Sequence, residues 1–260
     1  MAPHPRPRSV RRRRDPRRGG SALGIEALSL TLLARGPGYV VVDKPPGCLV
    51  HPSAWAGPPE PTLTDAVQAQ LGTSWHPVHR LDRQTSGLTV FAEGSAAARA
   101  WQEALAGGEK RYLALVRGVF RGPVDIDHPL RDEDGTTRPA RSRAEPVISR
   151  SDDAVRASLV RVQIFTGRTH QVRRHLKHLS HPVLGDANYG KGPLNRYYRD
   201  TFGLARLGLH ARTLRVTEPL SNDRKHFVSP VEAGLSRVLD ALFGEAWRAH
   251  LDALEALPQT

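Results

Sequence analysis

From residue 28 onward the chain alternates between short segments with a two-residue apolar period and longer ones with a helical stripe. That alternation confines it to architectures in which helices pack on a sheet. Tyr39–Val42 reads as a short apolar strand, closed by the turn DKPPG at residues 43–47. Thr62–Leu71 reads as a helix with Leu63, Ala66, Val67 and Leu71 on one stripe, and Leu88–Ala92 as a strand. Ser95 is placed to cap a helix that runs to about Ala106 and stops at Gly107 and Gly108. Further strands are expected at Arg111–Val119, Leu207–Val216 and Ala157–Phe165, where Leu159, Arg161, Gln163 and Phe165 alternate with Val160, Val162 and Ile164. Thr169–Leu179 reads as a strongly basic helix, and Val231–Phe243 as an amphipathic one with Leu235, Val238, Leu239 and Leu242 on its stripe. With no internal repeat and no long linker after residue 35, the expectation is one α+β domain over residues 21–260.

Charge narrows the choice of partner. The chain has 260 residues and a formal net charge of +12, from 38 basic and 26 acidic residues. Such an excess favours polyanions, because each neutralised phosphate releases counterions. A GC-rich genome would explain why 33 of the basic residues are Arg and 5 are Lys, but not the excess itself. Residues 1–20 hold eight Arg, one Asp and four Pro, which gives +7 of the +12. Proline density and like-charge repulsion leave this tail nothing to fold around. The apolar stretch after it is interrupted by Glu26 and lacks a clear small-x-small cleavage site, which argues against an export signal. No apolar run approaches the ~18–20 residues that span a bilayer. A single cysteine, Cys48, excludes an intrachain disulfide and a cysteine zinc cluster, and suits a reducing cytoplasm.

Three segments carry the candidate chemistry. HRLDRQTSG at 79–87 lies between a helix and a strand and sets Asp82 between Arg80 and Arg83. An aspartate in such a loop is either a reactive carboxylate or a turn residue that caps amides and pairs with a neighbouring Arg. FTGRTHQVRRHL at 165–176 turns from a strand into the basic helix; Gly167 suits a tight turn, and Arg168 and Arg173 can offer guanidinium groups to a carboxylate or to phosphates. A solvated basic face is the plainer alternative. KRYLALVRG at 110–118 places Tyr112 on a strand, as a site residue or as core packing. His170, His175, His178 and His181 crowd one stretch, yet no zinc signature accompanies them, so packed or RNA-facing histidines are expected and no metal.

Taken together, these segments resemble the RluA-type family of pseudouridine synthases. The likeness runs from about Tyr39 to Pro230: VVVDKPPGCLVHP, then HRLDRQTSG and KRYLALVRG, then TGRTHQVRRH with HPVLGDANYG, and finally LGLHA at 207–211. The resemblance implies the pseudouridine synthase fold, a mixed, mostly antiparallel sheet in two halves with peripheral helices and a central cleft. It also implies catalysis without cofactor. By the same likeness Asp82 is the catalytic carboxylate, nucleophile at the ribose or base towards it. Arg173 becomes its salt-bridge partner, with Arg168 as the alternative, and Tyr112 the ring that stacks on the flipped uracil. Arg80 fills the space that the base vacates, and Arg83, Arg168, His170 and Arg174 complete an RNA-facing set. Chemistry agrees: an isomerisation needs no redox partner, and the carboxylate must stay ionised, which a nearby Arg secures.

The substrate expected is tRNA, with ribosomal RNA second. Only 38 residues precede the first strand of the likeness, too few for an S4 RNA-binding module beside the basic tail. HLSHPVLGDANYGKGPLNRYYRDTFGLARLGLHA at 178–211 resembles the members that act on uridine 65 in the T stem. A monomer in the cytoplasm, with no membrane association, completes the expectation. The rivals are an RNA-binding protein that has lost catalysis, against which stand Asp82, Tyr112 and Arg173, and a DNA-binding regulator, for which no helix-turn-helix or finger pattern is present. The tail yields a direct test. A chain starting near Ser21 is expected to bind RNA more weakly and with a flatter salt dependence, yet to keep its single-turnover rate at saturation. Equal salt slopes would make the tail a bystander; a lost saturated rate would move the domain boundary.

Overall fold

The computed structural model describes residues 30–52 and 60–256. The basic tail and the 53–59 segment lie outside these residues. The chain first lays down strands β1 (Thr31–Gly36) and β2 (Tyr39–Lys44), helix α1 (Leu63–Leu71), strands β3 (Trp75–Pro77) and β4 (Ser86–Glu93), and helix α2 (Ser95–Gly107). There follow β5 (Glu109–Arg117), β6 (Val124–Asp127), the hairpin of β7 (Leu130–Arg131) and β8 (Thr137–Arg138), β9 (Arg141–Ser151) and β10 (Arg156–Ile164). The last part holds α3 (Gln171–His178), α4 (Gly192–Phe202), β11 (Leu209–Thr217), β12 (Arg224–Val228), α5 (Ala233–Phe243) and α6 (Ala246–Ala256).

Ten strands form one sheet in the order β1-β2-β4-β11-β5-β10-β9-β6, with β3 paired to β4 and β12 to β11. The strand pairs are antiparallel except β4 with β11, which meet in parallel over two residue pairs, His210 with Ser86 and Ala211 with Gly87. This short seam divides the sheet into the two halves expected. Close approach at the seam demands glycine: Gly87 has φ +109°, and a Cβ there would lie 2.2 Å from the Ala211 carbonyl oxygen. One core packs α1 and α2 on the β1–β4 half, with residues such as Val41, Leu63, Phe91 and Trp101. The other half is covered on both faces. Leu113 and Leu159 of the sheet share a core with Tyr198 of α4, Leu239 of α5 and Leu251 of α6 on one side; Val160 and Val162 share one with Val172 and Leu176 of α3 on the other. No helix among the described residues is long and apolar enough to cross a membrane.

Several local expectations change. The N-cap of α2 is Gly94, at φ +82°, and Ser95 is the first helical residue with no side-chain cap bond. Helix α3 starts at Gln171, not Thr169, after a left-handed His170 at φ +54°. Gly167 is not among the residues with positive φ, so that turn does not rest on glycine. Gln171 holds it instead: its Oε1 accepts from Thr166 Oγ1 (2.7 Å) and Arg168 N (3.0 Å), and its Nε2 donates to Arg141 O and Ser142 Oγ (both 2.9 Å). The eleven-residue β9, RSRAEPVISRS, tolerates Pro146 because a bulge sits there: Leu159 faces Ile148 while Val160 faces Pro146, leaving Val147 as the extra residue.

Behind the seam, fully buried His210 sets Nδ1 2.9 Å from Ser86 Oγ. Burial pushes its pKa down to about 3, against a bond to the Ser229 carbonyl and with the charges of Arg206 and Arg212 reinforcing the fall. The folded ring therefore stays neutral where an unfolded histidine takes a proton. Its contribution is fully present above pH ~6.5 and is lost as the pH falls towards the folded value. Urea unfolding at pH 7.5, 6.0 and 5.0 is expected to show stability falling by up to about 1.4 kcal/mol per pH unit from this residue. A stability that does not decline over that range would contradict the buried neutral ring.

Candidate active site

Asp82 sits in the loop between β3 and β4, which the seam brings opposite the start of α3. The loop is closed by Thr85 N donating to Asp82 O (3.0 Å), and buried Leu81 anchors it. Residue 83 is clamped to the turn after β2: Gly47 N donates to Arg83 O (2.8 Å), and Arg83 Nε donates to Gly47 O (3.0 Å). The Asp82 side chain, 26% exposed, lies in a cleft of about 620 Å³ whose lining includes Tyr112, Ile164, Val172 and Leu209 beside the polar groups. A wall that joins apolar surface to a few convergent polar groups is the usual make-up of a ligand site.

Arg173 projects from α3 and donates from Nη1 to Asp82 Oδ2 (2.9 Å). Its other edge grips Asp186 in a fork, Nε to Oδ2 (2.7 Å) and Nη2 to Oδ1 (2.9 Å). Exposure falls along this chain, from 26% for the Asp82 side chain to 8% for Arg173 and none for Asp186. Burial alone would lower the arginine pKa, but the two carboxylates raise it well above the ordinary value. Burial likewise pushes Asp186 up, and Arg173 with the backbone N–H groups of Tyr189 and Asn188 outweighs it, so Asp186 titrates below the usual range. Asp186 is in turn fixed by α4: Asn195 donates from Nδ2 to Asp186 O (2.8 Å) and accepts from Gly185 N (3.0 Å). Gly185 is required there, since it has φ +78° and a Cβ would stand 1.9 Å from the Arg206 carbonyl oxygen. The Tyr189 ring lies 5.0 Å from the Arg173 guanidinium carbon and steadies it by cation–π attraction.

The structure thus brings Asp82, Arg173 and Tyr112 into one cleft and pairs the first two. Arg168 lines the same cleft but donates from Nε to Pro139 O (3.2 Å), away from Asp82. Tyr112 is pushed up in pKa by burial and by the Asp82 charge, so it is a neutral phenol. His170 places Nε2 3.8 Å from Asp82 Oδ1 and Nδ1 3.2 Å from Tyr189 Oη; burial lowers its pKa against the pull of Asp82, which leaves Arg173 as the cation beside the carboxylate. Arg80 reaches across the cleft to Thr169 Oγ1 (3.0 Å). Arg83 pairs with Glu60 (2.7 Å) on the rim, and Arg174 makes a long contact to Thr169 O (3.4 Å). Of the crowded histidines, His175 is core, held by Ser142 Oγ and His128 O (both 3.0 Å), and His178 stacks on His128 at 3.8 Å. Among the described residues no group of three His, Cys, Asp or Glu side chains is placed to hold a metal. Asp186 was missed as a site residue; its signal is the glycine-flanked GDANYG loop, where a tightly turned backbone carries an acidic side chain inward.

Comparison with known proteins gives the family of the chain. The profile of the RNA pseudouridylate synthase family matches residues 38–178. Among similar proteins, tRNA pseudouridine synthase C of Pasteurella multocida strain Pm70 is 36% identical, over 76% of this chain and 89% of that protein. Its counterpart in Vibrio cholerae serotype O1 is 35% identical, over 82% of this chain and 94% of that protein. Among solved structures, human RNA pseudouridylate synthase domain containing 1 superposes with a TM-score of 0.65 at 26% identity, covering 91% of this chain and 98% of that one. The aspartate loop, the arginine helix and the tyrosine strand that form the cleft all fall inside the matched profile, and the chain belongs to the RNA pseudouridylate synthase family.

Proposed function

We propose that this protein isomerises a uridine of tRNA to pseudouridine, at position 65 in the T stem, with Asp82 as the catalytic carboxylate. The observation that carries the reading is the Arg173 contact to Asp82 within the cleft. The tRNA assignment rests on the names of the relatives and on the extent of their match. A cytoplasmic monomer with no membrane role fits a buried free thiol at Cys48 and a substrate found in the cytoplasm. Residues 1–20 then act as a phosphate-attracting arm ahead of a catalytic domain over 21–260.

The reaction breaks the N1–C1′ bond, turns the uracil and joins C5 to C1′; the C5 proton leaves and N1 gains one, so atoms and electrons balance without a co-reactant. The base must first leave its stack, at a cost of a few kcal/mol. Arg80 stands at the mouth, where its guanidinium plane can replace the base in the stack. Tyr112 stacks on the flipped uracil. As a neutral phenol it is not itself the base, and it assists at C5 as a relay, its own proton going to water as the C5 proton arrives. Asp82, ionised beside Arg173, attacks C1′ or takes a proton from the ribose.

Asp82→Asn keeps the shape and removes the charge, so RNA binding is expected to persist while isomerisation stops. Activity within about tenfold of wild type, roughly 1.4 kcal/mol of barrier, would contradict the role. Arg173→Ala is expected to slow single turnover more than it weakens RNA binding, and to cost about 3–5 kcal/mol of stability by leaving Asp186 buried and unpaired. Arg168→Ala is expected to be milder in both; the reverse order would transfer the partnership to Arg168. Mapping pseudouridines in RNA from a strain lacking the gene is expected to show loss at tRNA position 65. Retention there with loss in ribosomal RNA would change the substrate.

A further inference from the structure

Three carboxylates line the cleft: Asp82, Asp186 and Glu133. Arg173 binds the first two. Glu133 forms no ion pair among the described residues, although Arg80, Arg83 and Arg168 line the same cleft. It stands at the tip of the β7–β8 hairpin, and the hairpin is built to hold it there. Buried Leu130 and Ala140 anchor the two ends. Gly135 N donates to Asp132 O (3.0 Å) and Asp132 N to Thr136 O (2.8 Å), which closes the turn at 132–135 with Gly135 at φ +85°. Arg138 neutralises both flanking aspartates, Asp132 at 2.7 Å and Asp134 at 3.4 Å. Arg131 Nε donates to Gly135 O (2.9 Å), and Arg168 Nε ties the exit of the hairpin to the cleft wall through Pro139 O (3.2 Å). Of three consecutive acids, two therefore stiffen the turn and the third faces the cleft.

An unpaired carboxylate in a cleft that receives a polyanion repels phosphate and weakens binding to any RNA. It contributes only where the RNA offers a donor for it to accept from. Phosphates offer none. In an A-form stem the major groove is too deep and narrow for a side chain to read, whereas the minor groove is wide and shallow. The base donor displayed there is the guanine N2 amine, the group that separates a G·C pair from its A·U counterpart. We propose that Glu133 is a specificity residue that accepts from the N2 amine of a guanine in the stem carrying the target uridine, on the minor-groove side. The inference rests on the proposed stem of tRNA as substrate. Selection then works from both sides. A guanine in place satisfies the carboxylate, and a stem without that amine leaves the negative charge unpaired against the RNA. Glu133 thereby lets the basic cleft reject stems that phosphate contacts alone would accept.

The test crosses protein variants with RNA variants. The RNAs are a T-stem hairpin and copies in which one guanosine at a time is replaced by inosine, which removes the N2 amine alone. Affinity and single-turnover kcat/KM are measured for wild type, Glu133→Ala and Glu133→Gln, and affinity also for Asp82→Asn. Inosine at one position is expected to lower wild-type affinity and kcat/KM about tenfold, the worth of one charge-assisted hydrogen bond. Glu133→Ala is expected to treat the two stems alike and to bind poly(U), which carries no amino group, more tightly than wild type does. Glu133→Gln keeps an acceptor oxygen and is expected to retain part of the preference. The effect of inosine on the duplex itself is common to all the proteins and cancels in the cycle. Wild type that is indifferent to inosine at every position overturns the proposal, and if it responds instead to a 2′-deoxynucleotide the contact belongs to the ribose. A Glu133→Ala as sensitive to inosine as wild type overturns it equally. The failures separate. An active Asp82→Asn sinks the catalytic reading, and a hairpin that is bound but never modified sinks the tRNA assignment, while in both cases the inosine cycle in affinity still decides Glu133.

Discussion

Arg173 divides its N–H groups between two carboxylates that differ in exposure, and the geometry of the site depends on that division. The fork goes to Asp186, which is wholly buried, and the remaining Nη1 goes to Asp82, which faces the cleft. A buried carboxylate is tolerated only when it is paired and its remaining lone pairs are bonded; here Arg173 and the amides of Asn188 and Tyr189 do both. Asp186 in return aims the guanidinium. A side chain with that many rotamers would otherwise sample several directions, and Asp82 would lose both its counter-charge and its orientation.

The rest of the fold brings the two carboxylates to the same arginine. Asp82 comes from the β1–β4 half of the sheet, whereas Arg173 and Asp186 come from the other half and its helix α3. The halves join through two parallel residue pairs, Ser86 with His210 and Gly87 with Ala211, and at residue 87 the backbones lie too close for a side chain. Beneath the seam Arg206 donates to Ser86 Oγ (3.0 Å) and Glu232 (2.8 Å), which ties the start of β4 to the cap of α5. The seam and its buried polar network thus set the distance across the cleft, and the Arg173 contact reports whether that distance is right.

What the sequence discloses follows from where the chemistry lies along it. Elements with a clean apolar period, such as β2, β10 and α5, stand within two or three residues of their expected bounds. Strand β9 was illegible because its outward residues are charged, Pro146 breaks it and the bulge shifts its register, so no two-residue period survives. Helix α4 shows little apolar stripe, since Tyr198 is its only fully buried residue. In the site, Arg173 was favoured over Arg168 by resemblance, and the physical reason is visible only in three dimensions. Arg173 lies on the inward face of α3 with Val172 and Leu176, whereas Arg168 precedes the helix and turns towards Pro139. Lys44 carried no signal beyond its place in the turn DKPPG, and only the folding of 45–48 over it makes it a buried charge.

The shared arginine is tested most directly by the single-turnover rate of Asp186→Asn at saturating RNA, since the Asp186 side chain is wholly buried behind Arg173 and the substitution preserves volume. The account predicts a fall of at least tenfold with RNA affinity unchanged, because an arginine released from its fork no longer holds Asp82 in place. A folded Asp186→Asn that turns over as fast as wild type would contradict it.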